Sequence, residues 1–98
     1  MAFQKEETEE GIRLHIQGSL SIYEASALRD ELLGCLDTGE NVEVALSNVK
    51  ECDTAGLQLL VSARKSAESA QKQLHITNAP EHVLDLLYSA GIRQDEVL

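Results

Sequence analysis

Residues 52–60 read Cys-Asp-Thr-Ala-Gly-Leu-Gln-Leu-Leu, and they predict the start of a helix that continues to about residue 71. Asp53 and Thr54 are both good N-cap residues, because a side-chain oxygen at that position accepts from the free backbone N–H groups of the first turn. Gly56 lies within that turn, where glycine costs about 1 kcal/mol of helix propensity relative to alanine. Such a cost is explained if another group must approach the backbone closely.

The hydroxyl of Thr54 has two open interpretations. A phosphate at this position would be favoured by the free N–H groups and by the positive end of the helix dipole, so Thr54 is a candidate phosphorylation site. Most Asp-Thr pairs before a helix are only caps, however, and a purely structural role is the alternative that the local sequence leaves open.

Strands are predicted on both sides of this helix, because apolar and polar residues alternate there. Residues 2–6 and 12–16 should form a hairpin through a polar turn at 7–11, and residues 41–48 and 74–76 should form two further strands. The strand residues expected to point inward are Ile12, Leu14, Ile16, Val42, Val44, Leu46, Leu74 and Ile76.

Two more helices are predicted from their end signals. Ser21 and Glu24 have the spacing of a capping box, and that helix should stop at 37–39, with Gly39 available for a left-handed residue. Pro80 fits the first turn of the last helix, which should end at Gly91. The expected inward residues of the three helices are Ala25, Leu28, Leu32 and Cys35 or Leu36 in the first, Leu57, Leu60, Val61, Ala63, Ala67 and Ala70 in the second, and Val83, Leu84, Leu87 and Ala90 in the third.

The resulting order, β-β-α-β-α-β-α, predicts an α/β fold over residues 1–98 as a single domain. Strand–helix alternation implies a mixed, mostly parallel sheet of four to five strands joined by right-handed crossovers. Because the strands alternate instead of being apolar throughout, we expect the helices mainly on one face. A doubly wound nucleotide-binding fold would have central strands that are apolar on both faces.

Composition narrows the classes of function. The 98 residues carry 17 acidic and 8 basic side chains, for a formal charge of −9, which argues against nucleic acid or an anionic membrane surface as the partner. No apolar run approaches the ~20 residues needed to span a membrane, and no secretory signal is visible. With two cysteines, Cys35 and Cys52, a disulfide framework is not indicated, so we expect a cytoplasmic protein.

No enzyme site, metal site or cofactor motif is predicted. His15, His75 and His82 lie on separate elements without metal-ligand spacing, although His15 and His75 should share the polar face of the sheet. Cys52 has no neighbouring histidine in the sequence and is interpreted as a packing residue. Gly56 alone is no phosphate-binding loop.

The run from Val42 to Leu60 resembles the signature of the sulfate-transporter and anti-sigma-factor-antagonist (STAS) domain. That signature is an apolar strand, Asp-Leu-Ser, a short loop, Asp-Ser/Thr-small-Gly-Leu and a helix. The segments 18–25, 74–78 and 80–92 resemble other parts of the family. The resemblance implies a STAS-type fold over nearly the whole chain.

For function, the resemblance implies a non-enzymatic switch that binds a partner through the start of the second helix. In anti-sigma factor antagonists, a serine/threonine kinase that is also the anti-sigma factor phosphorylates the residue matching Thr54, and phosphorylation releases the antagonist. A phosphatase resets it. The residues expected to bind the partner are Ser21, Tyr23, Asp53, Thr54, Ala55, Gly56 and Leu57.

Two features differ from the family pattern. Ser21 stands where the family frequently has aspartate, and the phosphosite residue is Thr54 followed by Ala55. The Asp-Thr-small-Gly-Leu form also resembles STAS subunits of bacterial lipid-transport ATPase complexes, which bind an ATPase subunit without needing phosphorylation. A STAS regulator associated with chemotaxis or two-component genes is a further alternative, and a small hydrolase or transferase is the least supported, because no nucleophile–base pair is visible.

Overall fold

The strands and helices follow one another in the predicted order in a computed structural model that describes residues 2–38 and 41–97. The predicted left-handed residue at Gly39 and the inward side chain of Ala25 lie outside what the structure describes. The elements are β1 (Ala2–Thr8), β2 (Gly11–Leu20), α1 (Ile22–Asp37), β3 (Asn41–Cys52), α2 (Thr54–Ser69), β4 (Leu74–Thr77), α3 (Glu81–Ser89) and a short 3₁₀ helix (Gln94–Glu96).

The four described strands form one sheet in the order β1-β2-β3-β4. β1 and β2 are the predicted antiparallel hairpin, whereas β2 pairs with β3, and β3 with β4, in parallel. The prediction of a mixed, mostly parallel sheet is therefore confirmed. Apolar side chains of three neighbouring strands form a row across the sheet, since Leu14 pairs with Val44 and Val44 pairs with Ile76.

The helices cover one face of this sheet. α1 packs against β2 and β3, α2 packs against β4, and the two helices also pack against each other, so they lie on the same side. All eight strand residues predicted to point inward are buried. The core is aliphatic, as the shortage of aromatic residues requires, and Tyr23 and Tyr88 are 92% and 89% exposed.

The other face of the sheet is polar. Glu43 on β3 accepts hydrogen bonds from Arg13 on β2 and from Thr77 on β4, at 3.3 and 2.8 Å. Glu6 on β1 forms an ion pair with Arg13 at 3.6 Å, and its Oε1 lies within hydrogen-bond distance of Nε2 of His15, at 3.3 Å. His75 also lies on this face, because it pairs with Glu43, so His15 and His75 share it as predicted. Polar and charged side chains thus contact one another across all four strands.

The helix ends differ from prediction at two alanines. Ala70 and Ala90 are exposed, because α2 ends at Ser69 and α3 ends at Ser89, so these alanines are the C-cap residues of the two helices. The predicted stop at Gly91 is confirmed. Its φ of +72° is a left-handed conformation that favours glycine, and the N–H of Ile92 reaches back to the carbonyl oxygen of Leu87 at 2.9 Å.

Strand β3 is four residues longer than predicted, and this extension positions the candidate site. Val49 in the extension is buried, and the pairing of β2 with β3 continues until Leu20 lies beside Cys52. Because the two strands are parallel, their carboxyl ends meet at one edge of the sheet. The helices that follow them, α1 and α2, therefore begin side by side.

Candidate functional site

The start of α2 is capped by Asp53, one of the two N-cap residues that the sequence offers. Asp53 has an extended backbone with φ −108° and ψ 173°, and its Oδ1 accepts a hydrogen bond from the N–H of Gly56 at 2.8 Å. The carbonyl oxygen of Asp53 accepts from the N–H of Leu57 at 3.2 Å. Thr54 is then the first helical residue and is exposed to solvent. A hydroxyl at this position is accessible to another protein.

The second oxygen of Asp53 caps the other helix. Oδ2 of Asp53 accepts from the N–H of Ile22, the first residue of α1, at 3.2 Å, across a sequence separation of 31 residues. In addition, the N–H of Asp53 donates to the carbonyl oxygen of Leu20 at 3.1 Å. One carboxylate thus connects the first turns of α1 and α2.

Ser21 does not form the predicted capping box. Its backbone is extended, as expected of an N-cap residue, but its side chain makes no cap hydrogen bond to α1. Instead, the Ser21 hydroxyl donates to the carboxylate of Glu24, and this hydrogen bond lowers the pKa of Glu24 below its ordinary value of 4.5. The N–H of Glu24 donates to the carbonyl oxygen of Ser21. The side-chain cap of α1 comes from Asp53, a residue that local spacing cannot reveal.

Gly56 is required by the fold itself. A Cβ atom at this position would lie 2.4 Å from the carbonyl oxygen of Leu20 and 2.9 Å from Cγ of the same residue. Gly56 is buried and the Leu57 side chain is fully buried. The close approach that glycine allows is therefore made by the end of β2. That Gly56 and Leu57 contact a partner stays a prediction, although both residues are buried.

Cys52 behaves as a packing residue. Its side chain is half-buried against the core, and burial together with the neighbouring Asp53 carboxylate raises the pKa of the thiol to about 11. The thiol is therefore protonated at neutral pH, which makes it a poor nucleophile. Cys35 is buried in the core, and burial raises the pKa of its thiol too.

Four residues form the exposed part of the site, and we call them the helix-start surface: Ile22, Tyr23, Thr54 and Ala55. Ile22 is 62% exposed and Tyr23 is 92% exposed, although both are large and apolar or aromatic. Ala55 is half-buried and, with Ile22 and Leu59, lines an open groove of about 620 Å³ between α1 and α2. Exposed apolar side chains beside a polar rim are a common feature of protein-binding surfaces.

The predicted site residues thus separate into three groups. The structure places Tyr23, Thr54 and Ala55 at the surface, in the first turns of α1 and α2, and uses Asp53 and Ser21 for hydrogen bonds within the fold. The third group, Gly56 and Leu57, is buried. Ile22 was not among the predicted site residues. Its signal was an isoleucine at the first position of an amphipathic helix, outside the apolar stripe that faces the core.

Within residues 2–38 and 41–97, no three His, Cys, Asp or Glu side chains are close enough together to hold a metal ion. No helix in the same part of the chain is both long and apolar enough to cross a bilayer.

The family model described as "Mlab, STAS domain" matches residues 3–98, which is nearly the full length. The chain belongs to the STAS domain family. A curated relative, the anti-sigma-B factor antagonist of Bacillus subtilis (strain 168), is 25% identical over 87 residues. That alignment covers 89% of this chain and 80% of the relative.

Solved structures share the STAS fold. The Bacillus anti-sigma factor antagonist SpoIIAA matches in its unphosphorylated form with a TM-score of 0.70 at 17% identity, covering 89% of this chain and 82% of that one. Its phosphorylated form matches equally, with a TM-score of 0.70 at 17% identity over 93% and 85% of the two chains. Mglu also contains this fold, with a TM-score of 0.70 at 21% identity, but this STAS chain matches 82% of its own length to only 20% of Mglu.

Proposed function

We propose that this STAS protein is a non-enzymatic phospho-switch, an anti-sigma factor antagonist. It binds an anti-sigma factor that is also a serine/threonine kinase, and phosphorylation of Thr54 releases it. The single observation that carries the proposal is the exposed hydroxyl of Thr54, at the first position of α2, in a family whose relatives include anti-sigma factor antagonists. A phosphatase that removes the phosphate would reset the switch.

The surroundings of Thr54 support the idea that the negative charge of a phosphate releases the partner. A phosphate adds about −1.5 to −2 charge at neutral pH. It would stand next to the Asp53 carboxylate, on a chain with a formal charge of −9. The amides of Gly56 and Ile22, the donors nearest to that carboxylate, are already hydrogen-bonded to it. The new charge is therefore presented outward, to the partner.

The charge and bulk of a phosphate are large enough to account for release of the partner. A hundredfold loss of affinity requires about 2.7 kcal/mol. Placing an unmatched charge and the bulk of a phosphate in the middle of a contact surface supplies this without refolding the domain. The apolar side chains of Ile22 and Tyr23 beside Thr54 supply the complementary attraction, since aromatic side chains often anchor interfaces.

The modification is tested by incubating the protein with ATP, Mg²⁺ and an anti-sigma factor kinase from the same genome, then measuring the intact mass. We expect one added phosphoryl group, about 80 Da, in the wild type and in Thr8→Ala, and none in Thr54→Ala. Thr8 is an exposed control threonine on β1. Phosphorylation that persists in Thr54→Ala would overturn Thr54 as the site, as would an unchanged mass of the wild type with a kinase that binds it.

A second candidate is a STAS subunit of a bacterial lipid-transport ATPase complex. The matching family model carries the Mlab name, and the form Asp53-Thr54-Ala55-Gly56-Leu57 resembles such subunits. In this case the helix-start surface binds an ATPase subunit, and the hydroxyl of Thr54 is only a contact. A pull-down from a native lysate that recovers an ATP-binding-cassette ATPase, equally with wild type and with Thr54→Glu, would favour this candidate over the first.

A further inference from the structure

Asp53 makes contacts that a simple N-cap does not require. An N-cap carboxylate satisfies N–H groups of its own helix, as Oδ1 of Asp53 does for Gly56. Its second oxygen is directed away from α2 to the N–H of Ile22 on α1. Ser21, which precedes Ile22, leaves this N–H to Asp53, because its own hydroxyl is used by Glu24. The first turn of α1 is therefore anchored by a residue of the neighbouring loop.

We propose that Asp53 is a positioning residue that joins the two helix starts into one partner-binding surface. Its carboxylate accepts from the N–H of Ile22 and so fixes the position of Ile22 and Tyr23 relative to Thr54. Thr54 directly follows Asp53 in the chain. This inference rests on the proposed function, since it assigns a role within the surface that Thr54 regulates. It also gives Asp53 a different role from direct contact with the partner, because both of its carboxylate oxygens are engaged within the fold.

The same hydrogen bond couples a charge on Thr54 to α1. A negative group on Thr54 repels the adjacent Asp53 carboxylate, and the carboxylate is bonded to the N–H of Ile22. Regulation at Thr54 then acts on two parts of the partner's footprint, the threonine itself and the exposed side chains at the start of α1. A cap limited to α2 would leave α1 unaffected.

Ile22→Pro tests the proposal, because proline removes this one N–H and leaves Asp53 and its bond to Gly56 intact. Proline is tolerated at the first position of a helix, where Ile22 lies. Ser21 before it has φ −134° and ψ 173°, a conformation that suits a residue preceding proline. The matched control is Ile22→Ala, which loses the same exposed side chain but keeps the N–H.

We expect Ile22→Pro to bind the anti-sigma factor kinase about tenfold more weakly than Ile22→Ala, the effect of losing one hydrogen bond to a charged group. Circular dichroism and the unfolding midpoint of both variants establish that they are folded at the temperature of the binding assay. Equal affinity of the two folded variants would overturn the positioning role. If Ile22→Pro does not fold, Asp53→Asn replaces it, with Asn retaining one of the two acceptor oxygens and losing a comparable part of the affinity.

A readout without a partner separates this inference from the proposed function. Backbone amide shifts are recorded by NMR for the wild type and for Thr54→Glu, each also in the Ile22→Ala and Ile22→Pro backgrounds. We expect Thr54→Glu to shift the Tyr23 amide in the wild type and in Ile22→Ala, and to shift it much less in Ile22→Pro. A Tyr23 amide that never responds, or responds equally in Ile22→Pro, would overturn the coupling even if the kinase binds. A response as expected without kinase binding would retain the coupling and reject only the proposed partner.

Discussion

A methyl group on Gly56 would lie 2.4 Å from the carbonyl oxygen of Leu20, closer than real Cβ atoms come to a backbone oxygen. The sequence predicts that something approaches this glycine, and the structure identifies it as the end of β2. At the scale of single residues, the run Asp53-Thr54-Ala55-Gly56-Leu57 therefore combines residues with two different roles. Gly56 and Leu57 allow α2 to pack closely on the sheet, and Thr54 and Ala55 remain accessible.

The packing role predicts opposite effects at two glycines. Gly56→Ala should lower the free energy of unfolding by about 1–3 kcal/mol, because the backbone of β2 must move. Gly34→Ala should raise it by about 0.5–1 kcal/mol, since Gly34 lies in α1 with nothing within 4 Å of the new methyl group. Urea denaturation followed by circular dichroism measures both. A Gly56→Ala variant as stable as the wild type would mean that the contact with Leu20 is not tight.

The thiol of Cys52 gives a second prediction at this scale. A rise in its pKa from 9.0 to about 11 leaves about 100-fold less thiolate at pH 8. We expect iodoacetamide to alkylate Cys52 in the folded protein far more slowly than in the same protein in urea, as followed by intact mass and peptide mapping. Alkylation at equal rates in the two conditions would contradict the burial of this thiol.

At the scale of elements, Glu43 connects three strands on the polar face of the sheet through side-chain hydrogen bonds. The hydroxyl of Thr77 and the guanidinium of Arg13 both donate to its carboxylate, and the Thr77 bond is the main cause that lowers the pKa of Glu43 below 4.5. A carboxyl group with a lowered pKa in the folded state binds fewer protons than in the unfolded chain. Its contribution to stability is therefore present above pH 4.5 and is lost as the pH falls through the folded-state value.

This sign predicts how Glu43→Gln depends on pH. The variant should be less stable than the wild type at pH 7, and the difference between their free energies of unfolding should shrink as the pH is lowered from 5 toward 3. Denaturant titrations at each pH provide the measurement. Thr77→Val, which removes the main donor, should weaken the same pH dependence in the wild-type background. If the difference in unfolding free energy between the wild type and Glu43→Gln grew on acidification, the hydrogen bonds to Glu43 could not be its cause.

At the scale of the whole molecule, the parallel pairing of β2 with β3 places the starts of α1 and α2 at one edge of the sheet. This arrangement puts the helix-start surface at one edge of the sheet, on the first turns of two helices. A change of charge on Thr54 therefore alters the electrostatic potential of the helix-start surface without disturbing the core. Binding and folding are consequently expected to respond differently to Thr54.

Thr54→Glu separates these two responses. The unfolding free energy should stay within about 0.5 kcal/mol of the wild type or rise slightly, because a negative charge in the first turn of a helix is favourable. Affinity for the kinase should fall about 100-fold, as measured by isothermal titration calorimetry. Ser69→Glu adds the same charge at an exposed position about four turns along α2, away from the groove, and should bind nearly as the wild type does. Equal losses in both variants would indicate a general effect of charge.

The amino-acid sequence by itself determined the order of the elements, the inward residues of the strands, and a helix start capped by either Asp53 or Thr54. These follow from side-chain periodicity and from local hydrogen bonding, which act over a few residues. The tertiary structure alone decided that Asp53 also caps α1, that Ser21 does not, and that Gly56 faces Leu20. Each of these depends on the register between β2 and β3, which brings residues about 30 positions apart into contact, and no local pattern of residues records that distance.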